Sequence, residues 1–211
     1  MVDKYKYQSD LNNMNNLDKE ANRLGMGGKS SPEVDEKLYK ERMQKRKEIQ
    51  SKRVKERNLE KGLVIVFTGN GKGKTTAALG IGLRTLGHGH KAAIIQFIKG
   101  AWTTGEKKAF DKFSNQIEWR SLGAGFTWET QNRNKDQFLV NKAWEVAKEC
   151  IKNESYKLVI LDEINIAIKL GYINTEEIII FLKDLNMNKN LCHVILTGRG
   201  ASKEIIEFAD L

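Results

Sequence analysis

Val64-Ile65-Val66-Phe67-Thr68-Gly69-Asn70-Gly71-Lys72-Gly73-Lys74-Thr75-Thr76 runs from a short apolar, β-branched stretch through a glycine-rich turn into an alanine-rich helix start. A phosphate-binding loop requires these parts in this order. Its glycines let successive backbone N–H groups turn inward around phosphate oxygens, and the helix N-terminus adds its partial positive charge. Gly69, Asn70, Gly71, Lys72, Gly73, Lys74, Thr75 and Thr76 are therefore the candidate nucleotide-binding residues. Lys74 would reach the phosphates as a point charge, and the Thr75 hydroxyl would ligate a metal ion. The pattern departs from GxxxxGK[ST] at one place: counting back from Gly73-Lys74-Thr75, the first glycine is replaced by Thr68. A lysine-rich surface turn or glycine-rich hairpin would read similarly in isolation, but would not need an apolar strand before it and a helix after it.

Outward from this loop the chain alternates apolar runs with helical stretches. The runs are 63–67 (LVIVF), 92–98 (AAIIQFI), 158–162 (LVILD) and 193–197 (HVILT). Short, continuous, β-branched runs suit parallel strands covered on both faces. Helices are expected over Thr76–Leu86, Asp136–Lys152 and Thr175–Leu185, the last opening with Asn174 and Glu177 in a capping-box arrangement. The Gly- and aromatic-rich stretch 100–135 is expected to hold one strand around 117–122 and otherwise loop, and long loops inside a compact domain tend to be functional. The fold expected is α/β with a phosphate-binding loop: a mainly parallel sheet with helices on both faces, preceded by a basic helical extension.

Leu158-Val159-Ile160-Leu161 ends in Asp162-Glu163. Carboxylates at a strand end facing a phosphate loop hold a metal ion or its waters and can contact a ribose. Found alone, such a pair more often caps the next helix. Beside Lys74-Thr75 it makes Thr75, Asp162 and Glu163 the candidate metal residues, and Lys74, Thr75 and Glu163 the candidate catalytic ones. Adjacent residues point to opposite sides of a strand, so the two carboxylates must have different roles.

The 211 residues, 40% apolar, suffice for one compact domain with an extension. Residues 1–30 are Asn-, Lys- and Asp-rich and read as a flexible arm. Residues 31–61 read as a basic helix, a possible lid, with Ser31 as N-cap and Pro32 at its first position. Residues 62–211 form the nucleotide-binding domain. Residues 1–62 carry 16 Lys/Arg against 11 Asp/Glu, so five of the nine net positive charges sit there. Charge of this size cannot choose among nucleic acid, anionic surfaces and phosphate-rich small molecules. Cys150 and Cys192 have no second thiol at metal-ligand spacing and read as small core hydrophobes. With no apolar run of signal-peptide or membrane-span length, the expected location is cytoplasmic, without membrane.

Gly69–Ala78 (GNGKGKTTAA), Gln96–Glu106 (QFIKGAWTTGE), Gly125–Arg133 (GFTWETQNR), Leu161–Ile164 (LDEI) with Gly171-Tyr172, and Thr197–Gly200 (TGRG) with Ala209-Asp210 follow in order over about 62–211. Together they resemble the successive motifs of the P-loop type of ATP:corrinoid adenosyltransferases, including Thr68 at the odd loop position. The resemblance implies an α/β fold of the P-loop NTPase (RecA-like) type, with MgATP (or MnATP) bound with its triphosphate in the loop and the reaction at the ribose C5′. The cobalt of cob(I)alamin or a precursor attacks C5′, and triphosphate leaves. It further implies a homodimer, an electron-donating reductase or flavoprotein, and no nucleic acid.

By the same resemblance, Phe126 and Trp128 press on the lower corrinoid face and displace its axial ligand, whereas their spacing alone favours a core pair. Arg199 is implied near phosphate, Glu163 near ribose or metal, and Lys99 and Trp102 in shaping a loop. The family pattern continues some tens of residues beyond Ala209-Asp210, whereas this sequence stops at Leu211, which implies corrinoid chemistry reduced or lost with ATP binding retained. Two rivals remain at this level. One is a RecA-like nucleic-acid-stimulated ATPase, for which Glu163 alone could orient water; the other is an ATP-binding corrinoid chaperone without catalysis.

Overall fold

Each apolar run becomes a strand of one parallel sheet. The computed structural model describes residues 36–56, 61–98, 104–123, 132–187 and 192–211. The chain divides into two compact units, residues 1–59 and 60–211. In the second unit the strands are β1 (Val64–Phe67), β2 (Lys91–Gln96), β3 (Ile117–Ser121), β4 (Tyr156–Asp162) and β5 (His193–Thr197). They lie in the order β1-β5-β4-β2-β3, with all four pairings parallel.

The first unit contributes α1 (Glu36–Glu56), a helix whose described side chains are nearly all exposed. Lys40 pairs with Glu36 at 2.7 Å and Gln44 donates to Glu48 at 2.9 Å, contacts four residues apart that add a few tenths of a kcal/mol each. Ser31 and Pro32, the arm over 1–30, Lys99, Trp102, Phe126 and Trp128 lie outside the described residues.

Helices α2 (Lys74–Gly87) and α3 (Gly105–Phe110) follow β1 and β2. Helices α4 (Arg133–Lys152), α5 (Ile164–Lys169), α6 (Thr175–Met187) and α7 (Lys203–Phe208) follow β3, β4 and β5. The two-residue alternation of the strands divides the core accordingly. Ala92, Ile94, Leu158, Ile160 and Ile195 pack with Ala78, Leu79 and Leu86 of α2 and Phe110 of α3. Their sequence neighbours Ala93, Ile95, Val159, Leu161, Val194 and Leu196 pack with Val140, Ala143, Trp144 and Ala147 of α4 and Ile178 and Leu182 of α6. Both faces are covered, so both residue parities must be apolar, and the strands read as unbroken hydrophobic runs for that reason.

Three local expectations are revised. The stretch 104–116 is ordered, not loop: Thr104 caps α3 by accepting from Lys107 N, and a 3₁₀ turn over Asp111–Phe113 leads to β3. Phe97 and Ile98 fall beyond the end of β2, although Phe97 is buried. The capping box at α6 is half made. Asn174 Oδ1 accepts from Glu176 N at 2.9 Å, but the Glu177 carboxylate turns instead to Trp144 Nε1 at 2.6 Å, since a buried indole N–H needs an acceptor.

Cys150 and Cys192 are buried thiols, and burial pushes them up to about 11 and about 12. Among the described residues no helix is long and apolar enough to cross a membrane.

Candidate active site

The C-terminal ends of the strands converge at the glycine-rich turn between β1 and α2. Gly73, the residue before α2, has φ +98°, a left-handed conformation that glycine adopts without a steric penalty. Lys74 folds back over the turn, its Nζ donating to the carbonyl oxygens of Gly69 (2.9 Å) and Gly71 (2.5 Å). Asn70, Gly71 and Lys72 are exposed at the crest, and Thr76 is exposed on the first turn of α2.

Thr75 points the other way, toward the sheet. Its hydroxyl donates to Asp162 Oδ1 at 2.9 Å. Asp162, at the end of β4, is 3% exposed and therefore needs donors for its carboxylate. It has three: Thr75, the Thr197 hydroxyl at 2.9 Å on the same oxygen, and Gln96 Nε2 at 2.9 Å on Oδ2. Strand parity selects this set. Asp162, Gln96 and Thr197 continue the rows 158/160, 92/94 and 195, whose apolar members face α2, so these strand-end polar groups meet Thr75 at the start of that helix.

Glu163 has the opposite parity, and the chain turns at it. At φ 62°, ψ 22°, it is the one non-glycine residue with positive φ among the described residues, a conformation that costs roughly 1–3 kcal/mol. Its N–H donates to Thr197 Oγ1 at 2.9 Å, so the Thr197 hydroxyl bridges Asp162 and the Glu163 backbone. The Glu163 carboxylate lies beside Gly198, where a Cβ would come within 3.2 Å of Oε2. Asp162 and Glu163 thus occupy different places, because the strand ends at Asp162 and the chain turns at Glu163.

Arg199 is exposed in the turn after β5. That turn is tied to the end of β1 and the glycine-rich loop at two points: Gly198 N donates to Phe67 O at 3.2 Å and Ala201 N donates to Thr68 Oγ1 at 3.1 Å. The structure therefore brings Thr75 and Asp162 into direct contact, links Glu163 to them through Thr197, and joins the Arg199 turn to the loop. Phe126 and Trp128 are outside the described residues.

Sequence reading overlooked Gln96, Thr197 and the role of Thr68 as an acceptor. The available signal was a lone polar residue closing an apolar strand, at the parity of the buried row.

The donor set has a definite chemistry. Because the Thr75 hydroxyl proton is taken by Asp162, the Thr75 oxygen offers its lone pairs outward. A hydroxyl and a carboxylate are hard oxygen donors suited to Mg²⁺ or Mn²⁺. Among the described residues no three His, Cys, Asp or Glu side chains gather into a metal cluster. A divalent ion here would take its remaining ligands from phosphate oxygens and water.

Comparison with known proteins narrows what such a site can serve. A family model described as ATP:corrinoid adenosyltransferase BtuR/CobO/CobP matches residues 60–211, and one described as Cob(I)alamin adenosyltransferase N terminal matches residues 30–54. A corrinoid adenosyltransferase of Sinorhizobium sp is 45% identical over 187 residues, covering 88% of this chain and 86% of that protein. A corrinoid adenosyltransferase of Pseudomonas aeruginosa is 41% identical over 180 residues, covering 85% and 87%. Among solved structures, a KaiC-like protein of Pyrococcus horikoshii aligns over 71% of this chain and 70% of its own, with 20% identity and a TM-score of 0.42.

Proposed function

The chain belongs to the ATP:corrinoid adenosyltransferase family, and from that premise we infer that it transfers the 5′-deoxyadenosyl group of ATP to the cobalt of a reduced corrinoid, cobalamin or a biosynthetic precursor. The observation that carries the reading is the Thr75–Asp162 hydrogen bond at the mouth of a glycine-rich loop, within the matched span.

In the reaction the Co(I) lone pair forms the Co–C5′ bond as the C5′–O bond breaks, and the electron pair leaves with inorganic triphosphate. Triphosphate departs readily only if its growing charge is stabilised. Backbone N–H groups of Asn70–Thr75 and the Lys74 ammonium are suited to that task, being prearranged donors aimed at the leaving group. Thr75 and Asp162 would hold Mg²⁺ or Mn²⁺, which when bound neutralises phosphate charge. Glu163 is assigned to ribose or metal, and Arg199 to phosphate.

The nucleophile carries no proton, so no general base is required. The histidines accord with this: His88 and His90 are exposed, and His193 Nδ1 accepts from Leu63 N at 3.0 Å. Phe126 and Trp128 are assigned to the lower corrinoid face, an assignment that rests on the GFTWETQNR motif. There, displacement of the lower ligand would ease reduction of Co(II) by a reductase or flavoprotein. A homodimer in the cytoplasm completes the reading. A turnover assay that separates triphosphate from ADP tests it, since an ATPase yields ADP and a binding module yields neither.

A further inference from the structure

Gln96 closes β2 opposite Asp162 on one side and Ser121 on the other, in register with both. It is 2% exposed, and every polar atom of its side chain is engaged. Trp119 Nε1 donates to Gln96 Oε1 at 3.0 Å and Ser121 Oγ donates to the same oxygen at 2.7 Å, while Nε2 donates to Asp162 Oδ2 at 2.9 Å. The orientation of the amide follows from chemistry. An indole N–H can only donate, so the atom facing Trp119 must be oxygen; an ionised carboxylate can only accept, so the atom facing Asp162 must be nitrogen. The two constraints are independent and agree.

We propose that Gln96 is the positioning residue of the site: anchored by Trp119 and Ser121, it sets the rotation of the Asp162 carboxylate and through it the direction of the Thr75 hydroxyl. Asp162 Oδ1 receives both hydroxyls, so Gln96 alone engages Oδ2 among the hydrogen bonds described. Without that bond the carboxylate can turn about its terminal torsion, which is broad and soft. Thr75 then loses the acceptor that keeps its lone pairs facing the phosphates. Gln96 acts only through Asp162 and does not touch the nucleotide. The path Ser121/Trp119–Gln96–Asp162–Thr75 runs across three adjacent strand ends to the phosphate loop.

Gln96→Met keeps the length of the side chain and removes its polar head. The expected variant folds, binds ATP within about threefold of the wild type, and loses about tenfold in kcat, since the interaction lost matters most as leaving-group charge develops. Combined with Asp162→Asn it adds little further loss, because residues acting through one another are not additive. An unchanged kcat, or a loss that adds in full to that of Asp162→Asn, overturns the proposal.

If Gln96→Met does not fold, Ser121→Ala removes one anchor at a more exposed position and should give a smaller loss, also non-additive with Asp162→Asn; full additivity again overturns it. The proposal rests on the adenosyltransferase reading only for its assay. A crystal structure of Gln96→Met, or of Ser121→Ala in its place, tests it whether or not the wild type turns over. A carboxylate of Asp162 rotated away from Thr75 supports the role, and an unmoved one overturns it.

Discussion

Thr68 Oγ1 accepts the backbone N–H of Ala201 at 3.1 Å. This bond accounts for the residue that breaks the usual phosphate-loop pattern: a glycine at 68 has no side-chain acceptor to hold the turn after β5, where Arg199 sits. Thr68→Val keeps the shape and removes the acceptor. It should lower stability by about 1 kcal/mol and raise the KM for ATP several-fold, while Thr68→Ser restores both. Equal behaviour of the two variants in urea unfolding and in steady-state kinetics would contradict the tether.

Lys74→Ala removes the one side-chain cation of the loop that bends over its carbonyls. Its assigned role is toward departing triphosphate, so kcat/KM should fall by about 100-fold or more, with Tm little changed. Near-wild-type turnover would remove Lys74 from the machinery.

Gly198→Ala tests how tightly the strand ends are packed. Gly198 has φ +129°, and a Cβ there would meet Asn165 Cβ at 3.0 Å, Glu163 Oε2 at 3.2 Å and Ile166 N at 3.2 Å. A side chain is strained in that conformation and displaces Glu163 as well, so the variant should lose roughly 1–3 kcal/mol in denaturant unfolding and part of its activity. A variant as stable as the wild type would show that the turn yields freely.

His193 makes stability depend on pH. Its Nδ1 accepts the Leu63 N–H at 3.0 Å, which only the neutral ring can do. Burial, and after it the charge of Lys157, hold its pKa below the ordinary 6.5. The unfolded chain therefore takes up this proton more readily than the folded one. The stabilising contribution is complete above pH 6.5 and declines as pH falls below it, levelling off beneath the folded pKa. His193→Gln retains a neutral acceptor, so its urea midpoint should fall less than that of the wild type between about pH 7 and pH 5.5. Parallel profiles would count against His193.

The strand, loop and helix from Val64 to Thr76 were legible because each carries its own local signal: β-branched run, clustered glycines, alanine-rich start. Asp162 was legible as a charge closing an apolar strand. Gln96 and Thr197 were not, since a neutral polar residue in that position announces no chemistry until a partner on the next strand is known. Glu177 was misassigned for a similar reason: its partner Trp144 lies 33 residues away. Helices α3, α5 and α7 have six residues each, too few to establish a helical period. The glycine-rich loop was thus written in a local motif, whereas the hydrogen-bond network behind it depends on which strands become neighbours.

The most direct test is an anaerobic assay of the 211-residue chain with ATP, Mg²⁺ and chemically reduced cobalamin, following cob(I)alamin absorbance and identifying the phosphate product. The account predicts adenosylcobalamin and triphosphate in equal amounts. ADP and phosphate, with the corrinoid unchanged, would contradict it.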